Sequence, residues 1–70
     1  MQLFMANSGE EKKIMKLNLK EDQKKQFEHM GFLVGEPIKI VSTSNGMFVL
    51  EVKGSRFAID KLTATKILVY

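Results

Sequence analysis

Apolar residues recur at every second position through the middle of this chain. Ile38 and Ile40 flank Lys39, single residues separate Phe48, Leu50 and Val52, and Phe57 and Ile59 flank Ala58. A period of two is the mark of strands with one buried face. Turn residues punctuate these runs: Gly35-Glu36-Pro37, Ser44-Asn45-Gly46 and Gly54-Ser55. The pattern predicts a meander of short antiparallel strands. Pro37 opens the first of them, a position where proline costs no ladder hydrogen bond.

Register decides between the possible turns, because a slip of one residue sends every side chain to the other face. A two-residue Asn45-Gly46 hairpin pairs Ile40 with Glu51 and Ile38 with Lys53. A three-residue Ser44–Gly46 loop, with Gly46 left-handed in a bulge, instead pairs Ile38 with Val52, Ile40 with Leu50 and Ser42 with Phe48. The second keeps charges off the core face and is the predicted arrangement. For the next turn, Gly54-Ser55 suits a two-residue turn with glycine first, pairing Lys53 with Arg56, Val52 with Phe57 and Leu50 with Ile59.

The flanks complete the outline. Residues 11–17 read as a first strand with Ile14 inward. A helix is predicted over 19–30, with Asn18 as N-cap and Glu21 at the capping-box spacing. Gly31 stands where a left-handed helix stop belongs, and Phe27 and Phe32 occupy the positions that touch in a Schellman motif. The helix has a narrow apolar face, chiefly Phe27 and Met30. Asp60 can cap a single 3₁₀ turn over 60–63. The last strand covers 65–70 with Ile67 and Val69 inward. At the start, Leu3, Phe4 and Met5 form an apolar anchor ahead of a turn at Asn7–Gly9. About five short strands and one helix predict a mainly β fold, a small SH3-like barrel, with an OB-fold as the alternative.

Seventy residues suit one domain, taken here as 1–70. A chain of this size buries only about 60% of its unfolded surface, so its core is small. There is no cysteine, which removes disulfides and thiolate zinc sites and fits a reducing compartment. The net charge is +3, and the lysines of the first third are interleaved with Glu10, Glu11, Glu21, Asp22 and Glu28. Such dilution describes a solvated face better than a nucleic-acid groove. No apolar run approaches the ~18 residues that span a bilayer, so direct membrane insertion is not expected.

No catalytic constellation is present. The serines stand in turns, no phosphate-binding glycine loop occurs, and His29 is the single histidine, placed in the last helical turn where a cation suits the helix dipole. The five methionines show no repeat and suit packing or adaptable contact. Asp60 and Glu51 are too few to hold a hard cation. The expectation is a chain without catalytic, cofactor or metal residues. One feature exceeds the needs of the fold: Val41, Val49 and Met47 fall on the outward face, with Ala58 beside them and Leu33 and Val34 in the loop after the helix. These five (Val41, Met47, Val49, Leu33 and Val34) are the candidate partner-binding residues, since contiguous exposed apolar surface marks interaction sites.

The run Phe-Glu-His-Met-Gly-Phe-Leu-Val-Gly-Glu-Pro-Ile-Lys-Ile (27–40), the segment Val52–Ile59 and the ending Ala64-x-x-Ile67-x-Val69 resemble the FeoA family. The resemblance extends from about residue 3 to 69. Phe32 stands where the family often has leucine, and Pro37 follows the second glycine instead of preceding it. The resemblance implies an SH3-like barrel and a small cytoplasmic, non-catalytic accessory protein of bacterial ferrous-iron uptake. Its implied partner is the cytosolic GTP-binding part of the FeoB membrane transporter, and it would not carry iron itself. A weak homo-oligomer is compatible with it. The same domain type closes some iron- and manganese-dependent repressors, so a metal-responsive regulatory domain is one rival reading. A nucleic-acid-binding small barrel is the other, although no nucleic-acid partner is expected.

Overall fold

A computed structural model describes the chain from Met1 to Tyr70. After a 3₁₀ turn, η1 (Leu3–Met5), the elements are β1 (Glu11–Leu17), α1 (Glu21–His29), β2 (Pro37–Ser44), β3 (Met47–Val52), β4 (Ser55–Asp60), α2 (Lys61–Thr65) and β5 (Ile67–Val69). The strands form one antiparallel sheet in the order β4-β3-β2-β1-β5. The fold is the mainly β, SH3-like architecture that the alternation predicts.

β1 serves two neighbours in succession. Its first half, Glu11 to Lys13, pairs with β2, and Ile14 to Leu17 pairs with β5 across an irregularity at Met15. Ile14 stands at the hand-over. Its N–H donates to Glu36 O at 3.0 Å, its carbonyl accepts from Gly35 N–H at 2.7 Å, and it faces Val69. The N-terminus covers the far side of β5: Met1 and Val69 exchange two 2.7 Å bonds, and Gln2 bridges to Leu68.

The core holds thirteen residues and all are apolar, with Leu3, Ile14, Phe32, Leu50, Ile67 and Val69 fully buried. The inward residues predicted on every strand lie in it, apart from Phe57, which is half-buried and packs against it. α1 buries nothing of its own. It is tied down by its C-terminal stop. Gly31 takes φ +100, Phe32 N–H donates to Phe27 O at 3.0 Å, and Gly31 N–H donates to Glu28 O at 3.0 Å. This is the predicted Schellman motif. Phe32 enters the core between the edges of Phe27 and Phe57, with ring centroids 5.0 and 5.2 Å away.

Four local expectations are corrected. The helix starts at Glu21 behind Lys20, with no side-chain cap, because Asn18 is engaged elsewhere: its N–H bonds Lys66 O at 2.8 Å and extends β1 toward β5. Glu21 and Asp22 in the first turn supply the negative charge that the helix dipole favours. The β2–β3 turn is two residues, Asn45 (φ 50) and Gly46 (φ 75), since Ser44 faces Met47. Both residues are left-handed, as a type I′ turn demands. The extra residue is Val41: Ile40 faces Leu50 as predicted, but Ser42 faces Val49 and Thr43 faces Phe48. A bulge at Val41 therefore does what the predicted bulge at Gly46 would have done, and keeps Ile38 and Ile40 on the core face.

The β3–β4 turn lies one residue earlier than predicted, at Lys53 (φ 52) and Gly54 (φ 76). Val52 then faces Ser55, Leu50 faces Phe57 and Phe48 faces Ile59. The pairing moves by two positions in all, so no side chain changes face. The electrostatic reason is visible across the strands. The predicted turn sets Lys53 against Arg56, whereas the observed one sets Glu51 against Arg56, with Nε 3.7 Å from Oε2. Lys39 lies 3.8 Å from the other oxygen of Glu51. Finally, the turn after Asp60 is a short α-helix, α2, where a 3₁₀ turn was expected; Asp60 caps it as predicted.

Two substitutions test this account. In Gly31→Ala the new methyl would enter a left-handed backbone 3.1 Å from Lys53 Cδ, and the loss should be about 1–2 kcal/mol by urea unfolding at constant m-value. Lys53→Asn should instead raise stability by roughly 0.5 kcal/mol, because asparagine tolerates the left-handed turn position. The exposed pair of Lys53 with Glu36, 3.6 Å apart, offsets only part of this gain.

Candidate functional site

The five candidate residues stand on three segments: the loop before β2, β2 itself and β3. Leu33 and Val34 precede β2, in a loop held to β1 through Gly35 and Glu36. Val41 lies midway along β2, and Met47 follows its far end. The loop pair and Met47 are thus separated by the eight residues of β2 and the turn that follows it. Val41 does not oppose Val49. The bulge leaves Val41 without a partner, and Ser42 and Ala58 flank Val49 on either side. Both valines are half-buried; Leu33 and Met47 are exposed, and Val34 is 73% exposed.

Two residues join Met47 that the alternation could not reveal. Met47 faces Asp60, the residue that starts α2, and Lys61 N–H donates to Gly46 O at 3.0 Å. α2 packs on η1 and beside β3 and β4. Leu62 stands on α2, which meets the start of β3, and Met5 ends η1, which packs against α2. They are 65% and 61% exposed. The signal for Leu62 lay in the capping role of Asp60, which makes the following segment helical and sets it on the surface. Phe4, part of the predicted apolar anchor, is half-buried against the core, and the Lys61 ammonium lies 5.4 Å from its ring centre.

Asp60 positions this end of the molecule. Its Oδ1 accepts from Thr63 N–H at 2.9 Å, satisfying one of the free donors at the start of α2. Hydrogen bonds from Thr63, with a smaller pull from Lys66, hold its carboxyl below the usual value of 3.8.

The outward face turns polar toward the start of β2, since Glu51 lies two residues from Val49 on the same side of β3. A cleft of about 260 Å³ is lined by Glu11, Glu36, Pro37, Ile38, Lys39, Glu51, Lys53 and Gly54. Lys39, Glu51, Lys53 and Glu36 are engaged in ion pairs there, and Glu11 stands opposite Lys39 in the β1–β2 register. No group of three or more His, Asp or Glu side chains is placed to hold a metal ion. No helix is long and apolar enough to cross a membrane. The arrangement offers contact surfaces: one apolar end, one apolar loop and one self-neutralised charged cleft.

Known proteins share the sequence pattern and the fold of this chain. The FeoA domain model matches residues 1–70. A Methanocaldococcus jannaschii protein described as an Fe(2+) transport protein A is 31% identical over 67 residues, spanning 96% of this chain and 82% of the relative. The solution structure of a FeoA protein from Chlorobium tepidum superposes with a TM-score of 0.93 at 14% identity, over 100% of this chain and 69% of the other. The iron(II) transport protein A of Clostridium thermocellum gives 0.88 at 25% identity, over 99% of this chain and 44% of the other. A manganese-dependent transcriptional repressor shares the fold, with a TM-score of 0.85 at 14% identity, over 99% of this chain and 40% of the repressor.

The cap at Asp60 has a pH signature. A carboxyl lowered in the folded state stabilises fully above its unfolded value, near 3.9, and the contribution fades as the pH falls through the lower folded value. Asp60→Asn keeps a capping acceptor that does not titrate in this range. The difference in urea midpoint between the original protein and Asp60→Asn should be flat from pH 7 down to about pH 4 and move against the original protein below it. A difference that stays constant to pH 2 would show that the carboxylate does not hold α2 in this way.

Proposed function

The chain belongs to the FeoA family of ferrous-iron transport accessory proteins, and on that premise we propose that it is a non-catalytic docking module for the cytosolic GTP-binding part of a FeoB-type membrane transporter. It acts in the cytoplasm, and its effect runs through the transporter's assembly or nucleotide turnover. The observation that carries this reading is the exposed apolar side chains on the elements around α2: Met47 opposite its cap residue Asp60, Leu62 on α2 itself, and Met5 on η1, which packs against α2.

This group has the properties of a contact surface. Its large side chains contribute little to the core, so their apolar area is available to a partner; fully burying one such side chain is worth about 1.5–3 kcal/mol. Methionine adapts its shape to a facing surface. The polar cleft lacks the makings of a rival reactive site, since its lysines and two of its three glutamates are engaged in ion pairs. Leu33 and Val34 form a second, smaller apolar contact in the loop before β2.

Titrating the isotope-labelled chain with the transporter's cytosolic GTP-binding part tests this reading by NMR. Shifts should gather on Met5, Val41, Met47, Val49 and Leu62. Met47→Glu and Val49→Glu should each weaken binding by about tenfold or more, the range in which a central contact acts. Weakening by Leu33→Glu or Val34→Glu alone would move the docking site to the loop. A chain that shows no shift at high partner concentration would end the proposal.

A further inference from the structure

We infer that β4 is a self-complementary edge through which two copies of this chain pair as an antiparallel, two-fold dimer. β4 ends the sheet, and β3 is its one hydrogen-bonded neighbour. Val52 and Ser55 close a two-residue turn, so Ser55, Phe57 and Ile59 spend their backbone groups on β3. The N–H and C=O of Arg56 and Ala58, and the N–H of Asp60, therefore point away from the sheet. No other backbone bond in the molecule engages the groups of Arg56 or Ala58. The other end of the sheet is closed to such pairing, because the N-terminal residues lie along β5.

The sequence of this edge is balanced in size and opposite in charge about Ala58, with Arg56 and Phe57 on one side and Ile59 and Asp60 on the other. With Ala58 opposite Ala58 of a second copy, Arg56 of each faces Asp60 of the other. Phe57 of each then faces Ile59 of the other on the inner side. The residues brought opposite one another by this register are the ones whose backbone groups point outward, so the hydrogen-bonding phase and the charge phase agree. Arg56 and Ala58 are exposed, and the small alanine at the centre permits close approach of the two backbones. One oxygen of Asp60 caps α2, which leaves the other for the Arg56 of the second copy. A two-fold axis makes each favourable pair occur twice, as an isologous interface requires. The contact is narrow and gives a weak, reversible dimer.

Charge-swap variants examined by sedimentation test this. Arg56→Asp sets two like-charge pairs against each other in its own dimer, and so does Asp60→Lys. Mixing the two restores opposite charges at both positions. The original chain should dimerise with a dissociation constant below about 1 mM. Each variant alone should dimerise at least about tenfold more weakly, and the equimolar mixture should recover the original affinity. Circular dichroism checks that each variant is folded. Arg56→Asp leaves the α2 cap untouched and gives up the cross-strand pair with Glu51; found folded, it reports on its own should Asp60→Lys fail to fold. In the original protein, the amides of Arg56 and Ala58 should exchange more slowly as concentration rises. An original chain that stays monomeric at ~1 mM, or an Arg56→Asp variant that dimerises as well as the original, would overturn the proposal.

Discussion

The structure depends on how the chain leaves α1. A nine-residue helix is too short to hold itself in water, and this one buries no residue. What holds it is the left-handed Gly31, which reverses the chain so that Phe32 enters the core while touching Phe27 behind it. Phe32 is the largest fully buried side chain, and its other edge meets Phe57 on β4. One residue thus joins the helix, the loop and the edge strand. The same reversal delivers Gly35 and Glu36 to Ile14, where β1 passes from β2 to β5. If the stop were displaced, the aromatic contact and the hand-over at Ile14 would both lose their footing.

Much of this was legible in the sequence, because the constraints that produced it are local and periodic. The inward residues follow from alternation, and the stop at Gly31 follows from glycine with phenylalanine on each side at the right spacing. The cap at Asp60 follows from its place before a short polar-apolar run. What was not legible involved a choice between two local solutions that satisfy the same periodicity. A bulge at Val41 and a bulge at Gly46 both keep Ile38 and Ile40 buried, and the sequence pattern scores them alike. Likewise, a turn at Lys53-Gly54 and one at Gly54-Ser55 keep the same faces. The first places lysine in an unfavourable left-handed conformation; the second sets lysine against arginine. Cross-strand pairing of Glu51 with Arg56 tips this balance, and that effect operates between strands and not along them. Asn18 shows the same limit: its capping potential was real, but its backbone was claimed by Lys66 from the far end of the chain.

The candidate surface was half legible for a related reason. Exposure of Val41, Val49 and Met47 on the outward face follows from alternation alone. Their neighbours do not, because Met5 and Leu62 come from opposite ends of the sequence and meet only once α2 has folded back on η1. The loop pair, Leu33 and Val34, stands before β2, and Met47 follows that eight-residue strand and its turn.

The division of surfaces has a physical logic of its own. All thirteen core residues are apolar, and in a chain this small nearly every large inward side chain is needed for stability. Recognition must then be built from residues the core does not use, and two places provide them. At the capped end, two short helices and the start of β3 present Met5, Leu62 and Met47 without drawing on the core. At the sheet edge, β4 presents backbone groups whose hydrogen-bonding capacity is unspent. Because neither place competes with the packing around Phe32, both can be altered at little cost to the fold. A small barrel can in this way keep one interior and carry different contacts. The shared fold of an iron(II) transport protein A and a manganese-dependent repressor, at 25% and 14% identity to this chain, is consistent with that separation of interior from surface.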